Sequence, residues 1–448
     1  MPDFDLAALG AVPGINCAPL LQQAMDDCSA AGGGRVTVPA GRWLCGSIRL
    51  RSNVELHLAQ GAVLLCSTDP KDLSDFHADA DDDNPDIGWQ GGCFISACHA
   101  HNVTISGHGC IDGQGESYFE DDLADGGQHE CPLRPLTDQR PRLTLLEDVE
   151  NLTVRDVTFA NAAFWTLHMA GCRNVVIDGI RILNNDRAPN NDGIDPDSCQ
   201  NVTISNCIIR TADDAIVVKA TGPMTKLYGP CEHITITNCV LASHDSALKI
   251  GTETWGDIRD IVFSDSVIDR CSRAVGVWVR DGATVERVSV HHLTGTTRRY
   301  ADAEQGRLCR WWGVGEAVFV SATRRAGVDR APGTIRDLSF DHLALTSEAG
   351  IFLAGEAESP LQNIRLTDCA LRMEQQGTQP GGLFDEQPSV RDVYPHAVPG
   401  LYGRHVRGLR LRDVTVRFGT PCGTPWGDVQ ELEHCTQVSG CAEPEGML

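Results

Sequence analysis

The stretch NNDGIDPDSCQNVTISNCIIRTADDAIVVKA, residues 190–220, holds three carboxylates in one repeating arrangement. Asp192 sits in Asn190-Asn191-Asp192-Gly193, and Asp213 and Asp214 follow it by 21 and 22 residues. Between them runs an apolar alternation, Val202 and Ile204, of the kind a half-buried strand requires. Coils of roughly 20 to 30 residues mark a solenoid, in which positions one coil apart stack on the same face. The spacing therefore brings Asp192, Asp213 and Asp214 together.

The same rhythm extends in both directions. NLTVRDVTFAN at 151 and NVVIDGIRILNN at 174 precede the stretch, and HITITNCVLASHDSALKIG at 233 follows it. DIVFSDSVIDRC, IRDLSFDHLALTS, NIRLTDCALRM and VRGLRLRDVTVRF continue the series. One such coil cannot bury its apolar face alone, so stability requires many in a stack. Ahead of them, residues 15–30 carry Leu20, Leu21, Ala24, Met25 and Cys28 at helical spacing, closed by the small residues Ala31 to Gly34. A helix there caps the first coil, which otherwise offers a bare sheet edge. The fold class read from this pattern is all-β, a right-handed parallel β-helix with an N-terminal cap helix. A β-sandwich or jelly roll is the competing reading of the alternation. One domain is expected over 1–448, with the cap ending near residue 35, coils from about 36 to 430, and a tail beyond. Pro- and Gly-rich segments near 115–142 and 377–403 interrupt the rhythm and are expected to wall a groove.

The net charge of −24 argues against a nucleic-acid-binding surface, and an anionic substrate calls for a local basic pocket. PDFDLAALGAVPG after Met1 has neither a basic nor an apolar leader region, and no run approaches the ~20 apolar residues of a membrane span. Of the 19 cysteines, several end coils: Cys207 in TISNC, Cys239 in TITNC, Cys369 in RLTDC. That placement fits small buried groups stacking between coils, whereas a disulfide framework is less at home with an odd count. No zinc-type spacing occurs among them. The expectation is a reducing, cytoplasmic setting with no cofactor and no metal.

At its carboxylate motifs the chain resembles family 28 of the glycoside hydrolases, the polygalacturonase family, from GGGRVTVPAG to LYGRHVRGLRLRDV. NNDGIDPDSC followed by ADDAIVVK is similar to that family's Asn-Thr-Asp and Asp-Asp signatures. Phe164-Trp165-Thr166-Leu167-His168 resembles a segment of its exo-acting bacterial members. The resemblance implies inverting, metal-free hydrolysis of galacturonic-acid-containing pectic oligosaccharides. It places the general acid on Asp213, and on Asp192 and Asp214 the carboxylates that hold and deprotonate the attacking water. The chemistry asks for the same division, because an inverting glycosidase protonates the leaving oxygen while a base activates water opposite. An Asp with an ordinary pKa near ~3.9 is a poor acid at neutral pH. Crowding three carboxylates raises one of them, and Asp213 is the expected proton carrier. Asp195 and Asp197 in GIDPDS are expected to fix the turn through bonds to the backbone.

The chain also departs from the family. Aligning Ile250-Gly251 with the end of the Gly-His-Gly motif puts Ser246 at the histidine and leaves His244 two positions earlier. Two residues along a strand is about 7 Å on the same face. Either His244 reaches the site or the histidine function is absent. The Arg-x-Lys pair that grips the sugar carboxylate falls on Trp278-Val279-Arg280. Arg280 keeps one cation, suited to a carboxylate fork, and Trp278 either stacks on sugar or packs beneath a loop. Lys219 and Lys249 flank the acids and either neutralise them or bind a uronate. With Asn190 and His168, these residues make up the expected substrate-binding set. Arg310-Trp311-Trp312-Gly313 and Tyr394-Pro395-His396 are expected to line the groove, the latter closing one end and making the action exo. The alternatives are a polysaccharide lyase on this fold, a hydrolase of rhamnogalacturonan-type or other uronic glycosides, and a non-catalytic carbohydrate-binding β-helix.

Overall fold

The early coils turn at an asparagine. Asn53, Asn102, Asn151, Asn174 and Asn201 all adopt positive φ, between 53° and 63°. That left-handed region is costly for most L-residues, but Asn tolerates it. Their side chains then bond to one another up the stack, from Asn102 to Asn53 at 2.8 Å, Asn151 to Asn102 at 3.0 Å, Asn174 to Asn151 at 3.2 Å and Asn201 to Asn174 at 3.1 Å. Further along, His233, Asp260 and Arg287 hold the same corner, also at positive φ. There the ladder becomes ionic, with the Arg287 guanidinium on Asp260 at 2.7 and 2.9 Å.

In this computed structural model, residues 2–74, 92–121, 130–300, 312–377, 380–421 and 423–445 are described. The corners stack the strands into one 31-stranded main sheet that winds as a right-handed parallel β-helix. Its inward residues form ladders: Ile177, Ile204, Ile236, Phe263, Val290, Phe340, Leu366 and Leu411 lie on successive coils, and all are buried. Cysteines serve the same stacking. The thiols of Cys172, Cys199 and Cys231 each reach a carbonyl of the preceding coil, at Leu146, Met169 and Pro196. All 17 described cysteines are free.

Helix Ala18–Ala30 covers the first coil, burying Ala18, Leu21, Ala24, Met25 and Cys28. Leu20, expected on the apolar stripe, instead faces solvent at 37 % exposure. Strand Asp3–Asp5 pairs with Gly34–Val38 beneath the helix. A second helix, Gly222–Tyr228, interrupts the coils after Ala220. No described helix is long and apolar enough to cross a membrane.

One face of the solenoid carries the strands Phe164–Ala170, Ile194–Asp197, Ile216–Ala220, Ser246–Thr254, Arg273–Val279, Glu316–Ala322, Ala349–Ala354 and Leu401–Arg404. Each pairs in parallel with the next. This face positions the acids.

Candidate active site

Register explains why the three carboxylates meet. Ile194 pairs with Ile216, and Asp192 and Asp214 each lie two residues before those positions, so they occupy the same rung. Asp213 is one residue earlier, and its carbonyl accepts the hydroxyls of Thr211 at 2.6 Å and Ser243 at 2.7 Å. Asn191, fully buried, joins the two motifs. Its Oδ1 accepts the N–H groups of Ala212 (2.8 Å) and Asp213 (3.2 Å), and its Nδ2 donates to the Asn185 carbonyl (2.7 Å). Asn190, at φ 62°, donates its N–H to Asp213 Oδ2 at 3.1 Å and receives Arg140 on its side chain at 2.8 Å. Oxygens of Asp192, Asp213 and Asp214 thereby lie within 4.8 Å of one another.

Two lysines balance them. Lys219 Nζ lies 3.3 Å from Asp192 and 3.1 Å from Asp195, and Lys249 Nζ lies 2.8 Å from Asp214. The Lys219 ammonium also sits 3.5 Å above the centre of the Trp165 ring, a cation–π contact. These groups line a cavity of about 330 Å³, with Trp165 and Trp312 among its walls and Pro132 from the first insert at its rim. Asp213 is half-buried there, whereas Asp192 and Asp214 are buried. Burial, and then the charge of Asp213, raises the pKa of Asp192 well above the usual carboxylate value against the pull of Lys219. Burial raises Asp214 too, opposed by Lys249. Both lysines stay charged: burial works against their ammonium forms, but the adjacent carboxylates more than offset it.

A fourth carboxyl, Asp245, lines the same cavity and went unnoticed in the sequence. Thr211 pairs with Ser243, so Asp245 stands one coil beyond Asp213 at the equivalent position. That 32-residue offset was the available signal. Its Oδ1 accepts the Ser246 hydroxyl at 3.0 Å, and burial, with the charge of Asp214 next, pushes its pKa up to about 8. Trp165 was likewise overlooked beside His168.

Several residues expected to bind substrate do not line the carboxylate cavity. His168 lies behind Trp165, only 2 % exposed, with neither ring nitrogen hydrogen-bonded, and burial pushes its pKa down to about 4. Trp278 and Arg280 are fully buried, because the late insert lies over them. The Trp278 indole donates to the Gln387 carbonyl at 3.1 Å, and Arg280 donates to the carbonyls of Pro388 (2.7 Å) and Ser321 (2.8 Å). His244 misses the carboxylate cavity and lines a neighbouring one, stacked on Tyr300 at 3.8 Å. Asp197 does brace the backbone, accepting the Thr221 N–H and hydroxyl at 2.9 and 2.7 Å, but Asp195 pairs with Lys219 instead. Tyr394 and His396 pack with Phe384 and Tyr402 on a later coil, away from the acids. Arg310 and Trp311 lie outside the described residues.

The model of the glycosyl hydrolases family 28 matches residues 28–294. A probable polygalacturonase of Vitis vinifera is 32 % identical over 303 residues, covering 62 % of this chain and 57 % of that one. A polygalacturonase of Ralstonia nicotianae is 26 % identical, covering 60 % and 56 %. The chain thus spans less than two thirds of the length of either relative. The structure of a family 28 exopolygalacturonase from Yersinia enterocolitica has the same fold, with a TM-score of 0.68, 19 % identity, and coverage of 97 % of this chain and 78 % of that one.

Proposed function

The chain belongs to family 28 of the glycosyl hydrolases, and on that premise we propose that it hydrolyses α-linked galacturonic-acid-containing oligosaccharides from one end. The observation that carries this reading is the trio Asp192, Asp213 and Asp214, within 4.8 Å of one another and backed by Lys219 and Lys249. Asp213 reaches the open part of the cavity, and among the described residues neither lysine pairs with it. It donates its proton to the glycosidic oxygen. Asp192 and Asp214, each held by an ammonium group, bind and deprotonate the water. The same lysines, with Trp165 and Trp312 beside them, offer charge and flat apolar surface to a uronic sugar.

The roof over the sheet supports action from an end. Past the acids, Asp385 to Pro388 cover the strands that an open cleft leaves bare. Carboxylate oxygens are hard donors that suit Mg²⁺ or Ca²⁺. An ion among these three meets two ammonium groups already balancing them, so we read the reaction as metal-independent and expect chelators to leave turnover unchanged. The free thiols that stack between coils accord with a reducing, cytoplasmic setting.

The test is an NMR record of the anomer first released from α-linked oligogalacturonides. Inversion yields the β-anomer, and monomer release from the start marks exo action. One observation favours a second course: oxygens within 4.8 Å lie nearer the roughly 5–5.5 Å spacing of retaining enzymes than the roughly 6.5–9.5 Å of inverting ones. An α-product would assign Asp192 or Asp214 as a nucleophile. Absence of hydrolysis across pectic oligosaccharides would remove the reading altogether.

A further inference from the structure

Beside the carboxylate cavity lies a larger one of about 520 Å³. Its walls bring Arg187, Arg210, Arg270 and Arg298 together with Glu130, Asp186 and Asp269, in a chain of net charge −24. Two of the arginines are engaged. Arg187 donates to both oxygens of Asp121, at 2.8 and 3.2 Å, and Arg298 donates to Glu130 at 3.0 Å. Arg210 and Arg270 differ from them. Their side chains are 56 % and 57 % exposed, and they share one carboxylate, Asp269, through single contacts of 3.5 and 3.2 Å. A guanidinium carries five N–H donors in a planar fork that matches a carboxylate. Two forks on one acid leave most of those donors for a further anion.

The two cavities lie on either side of the Asp213 backbone. Thr211 and Ser243 line the arginine cavity and hold the Asp213 carbonyl, while the Asp213 carboxyl faces the acids on the other side. A general acid faces the departing oxygen. Space beyond Asp213 from Asp192 and Asp214 is therefore where the leaving sugar goes.

We propose that the arginine cavity is a subsite for the leaving-group sugar, gripping its carboxylate through Arg210 and Arg270. The inference rests on the hydrolytic reading above and on the acid role of Asp213. It supplies a carboxylate grip that Arg280, locked under residues 386–388, does not provide. It also gives His244, stacked on Tyr300 in the wall of this cavity, a place beside the departing sugar rather than beside the acids.

The experiment compares α-digalacturonate with the dimer methyl-esterified only on its reducing-end sugar. The wild-type enzyme is expected to prefer the free acid by about tenfold or more in kcat/KM, as for one charge-assisted hydrogen bond. The double variant R210Q/R270Q should bring that ratio close to one. Both side chains are exposed enough for the fold to accept the change. A wild-type ratio near one overturns the proposal without recourse to any variant, and so does a ratio that survives in R210Q/R270Q. Calorimetric binding of the same two dimers reads the grip independently of turnover. If neither dimer is cleaved yet the free acid binds tenfold more tightly in wild type alone, the hydrolytic reading and the leaving-group role fail together, while the carboxylate grip of Arg210 and Arg270 stands.

Discussion

The strands that carry the acids and those just beyond them belong to one sheet face, yet the two halves have opposite fates. Follow the single outward position that holds Lys249. On later coils it is occupied by Gly276, Phe319, Phe352 and Tyr402. In the first half the outward side chains include Lys219 and Lys249, which line the carboxylate cavity. In the second they form an aromatic stack, with Phe319 to Phe352 at 5.0 Å and Phe352 to Tyr402 at 5.3 Å, sealed by Phe384 of the late insert. Gly276 belongs to this packing, because a Cβ there would fall 2.1 Å from the Trp278 ring. Periodicity sets which way a side chain points; what covers it decides whether it works on a ligand or on the fold.

The sharpest way to break that contrast is at Asp213. Asp213→Asn keeps the shape but removes the transferable proton, and kcat should fall by about 10²–10⁴-fold, the usual contribution of a general acid. Melting temperature and oligosaccharide binding, followed by calorimetry, should barely move. Retained turnover would transfer the acid role to a neighbour.

Trp278 should behave in the opposite way. Its removal by Trp278→Ala opens a void against Phe319 and strands the Gln387 carbonyl, costing about 3–5 kcal/mol of stability. Chemical denaturation should register that loss while KM for oligogalacturonides stays near wild type. A large rise in KM with unchanged stability would instead return Trp278 to the sugar site.

Between these extremes lies Lys249→Gln. It removes one charge-assisted bond to Asp214, worth about 1.5–3 kcal/mol, so kcat should drop roughly 10- to 100-fold with a smaller change in stability. A purely structural lysine would show the reverse, lost stability with kcat preserved in the folded fraction.

How far the sequence reached follows the same division. The meeting of Asp192 with Asp214 was legible because it depends on a single coil length, and register between adjacent strands converts that length directly into contact. Coil-end cysteines were legible for the same reason. The fates of Trp278 and Arg280 were not, since their partners Gln387 and Pro388 lie 109 and 108 residues away, in an insert with no repeat to place it. His168 was misplaced by a different cause. It sits on the outward side in register with Asp195, but Trp165 packs against its ring at 4.8 Å and covers it, so only Trp165 opens onto the cavity. Asp245 was less legible because its offset from Asp213 is 32 residues rather than the 21 that separates Asp192 from Asp213, and because the altered Gly-His-Gly motif at that coil points to a histidine.

Asp245 also gives the mildest and most discriminating measurement. Its carboxyl, pushed up to about 8, holds a proton more tightly in the folded protein than in the unfolded chain, where the value is about 3.9. The stability from that proton is complete below about pH 3.9, drains as pH rises, and is gone above about pH 8. His168, pushed down to about 4, imposes the opposite limb: it must charge on unfolding, so stability falls as pH drops from about 6.5 toward 4. Asp245→Asn leaves an oxygen to accept the Ser246 hydroxyl and removes only the titration. Thermal melts of this variant should therefore flatten between about pH 6.5 and 8, and between about pH 4 and 6.5 should show a steeper acid limb than wild type, because the His168 slope is no longer offset. A wild-type slope that survives the substitution would mean the proton resides on Asp192 or Asp214, placing the neutral carboxyl on the water-binding side of the cavity.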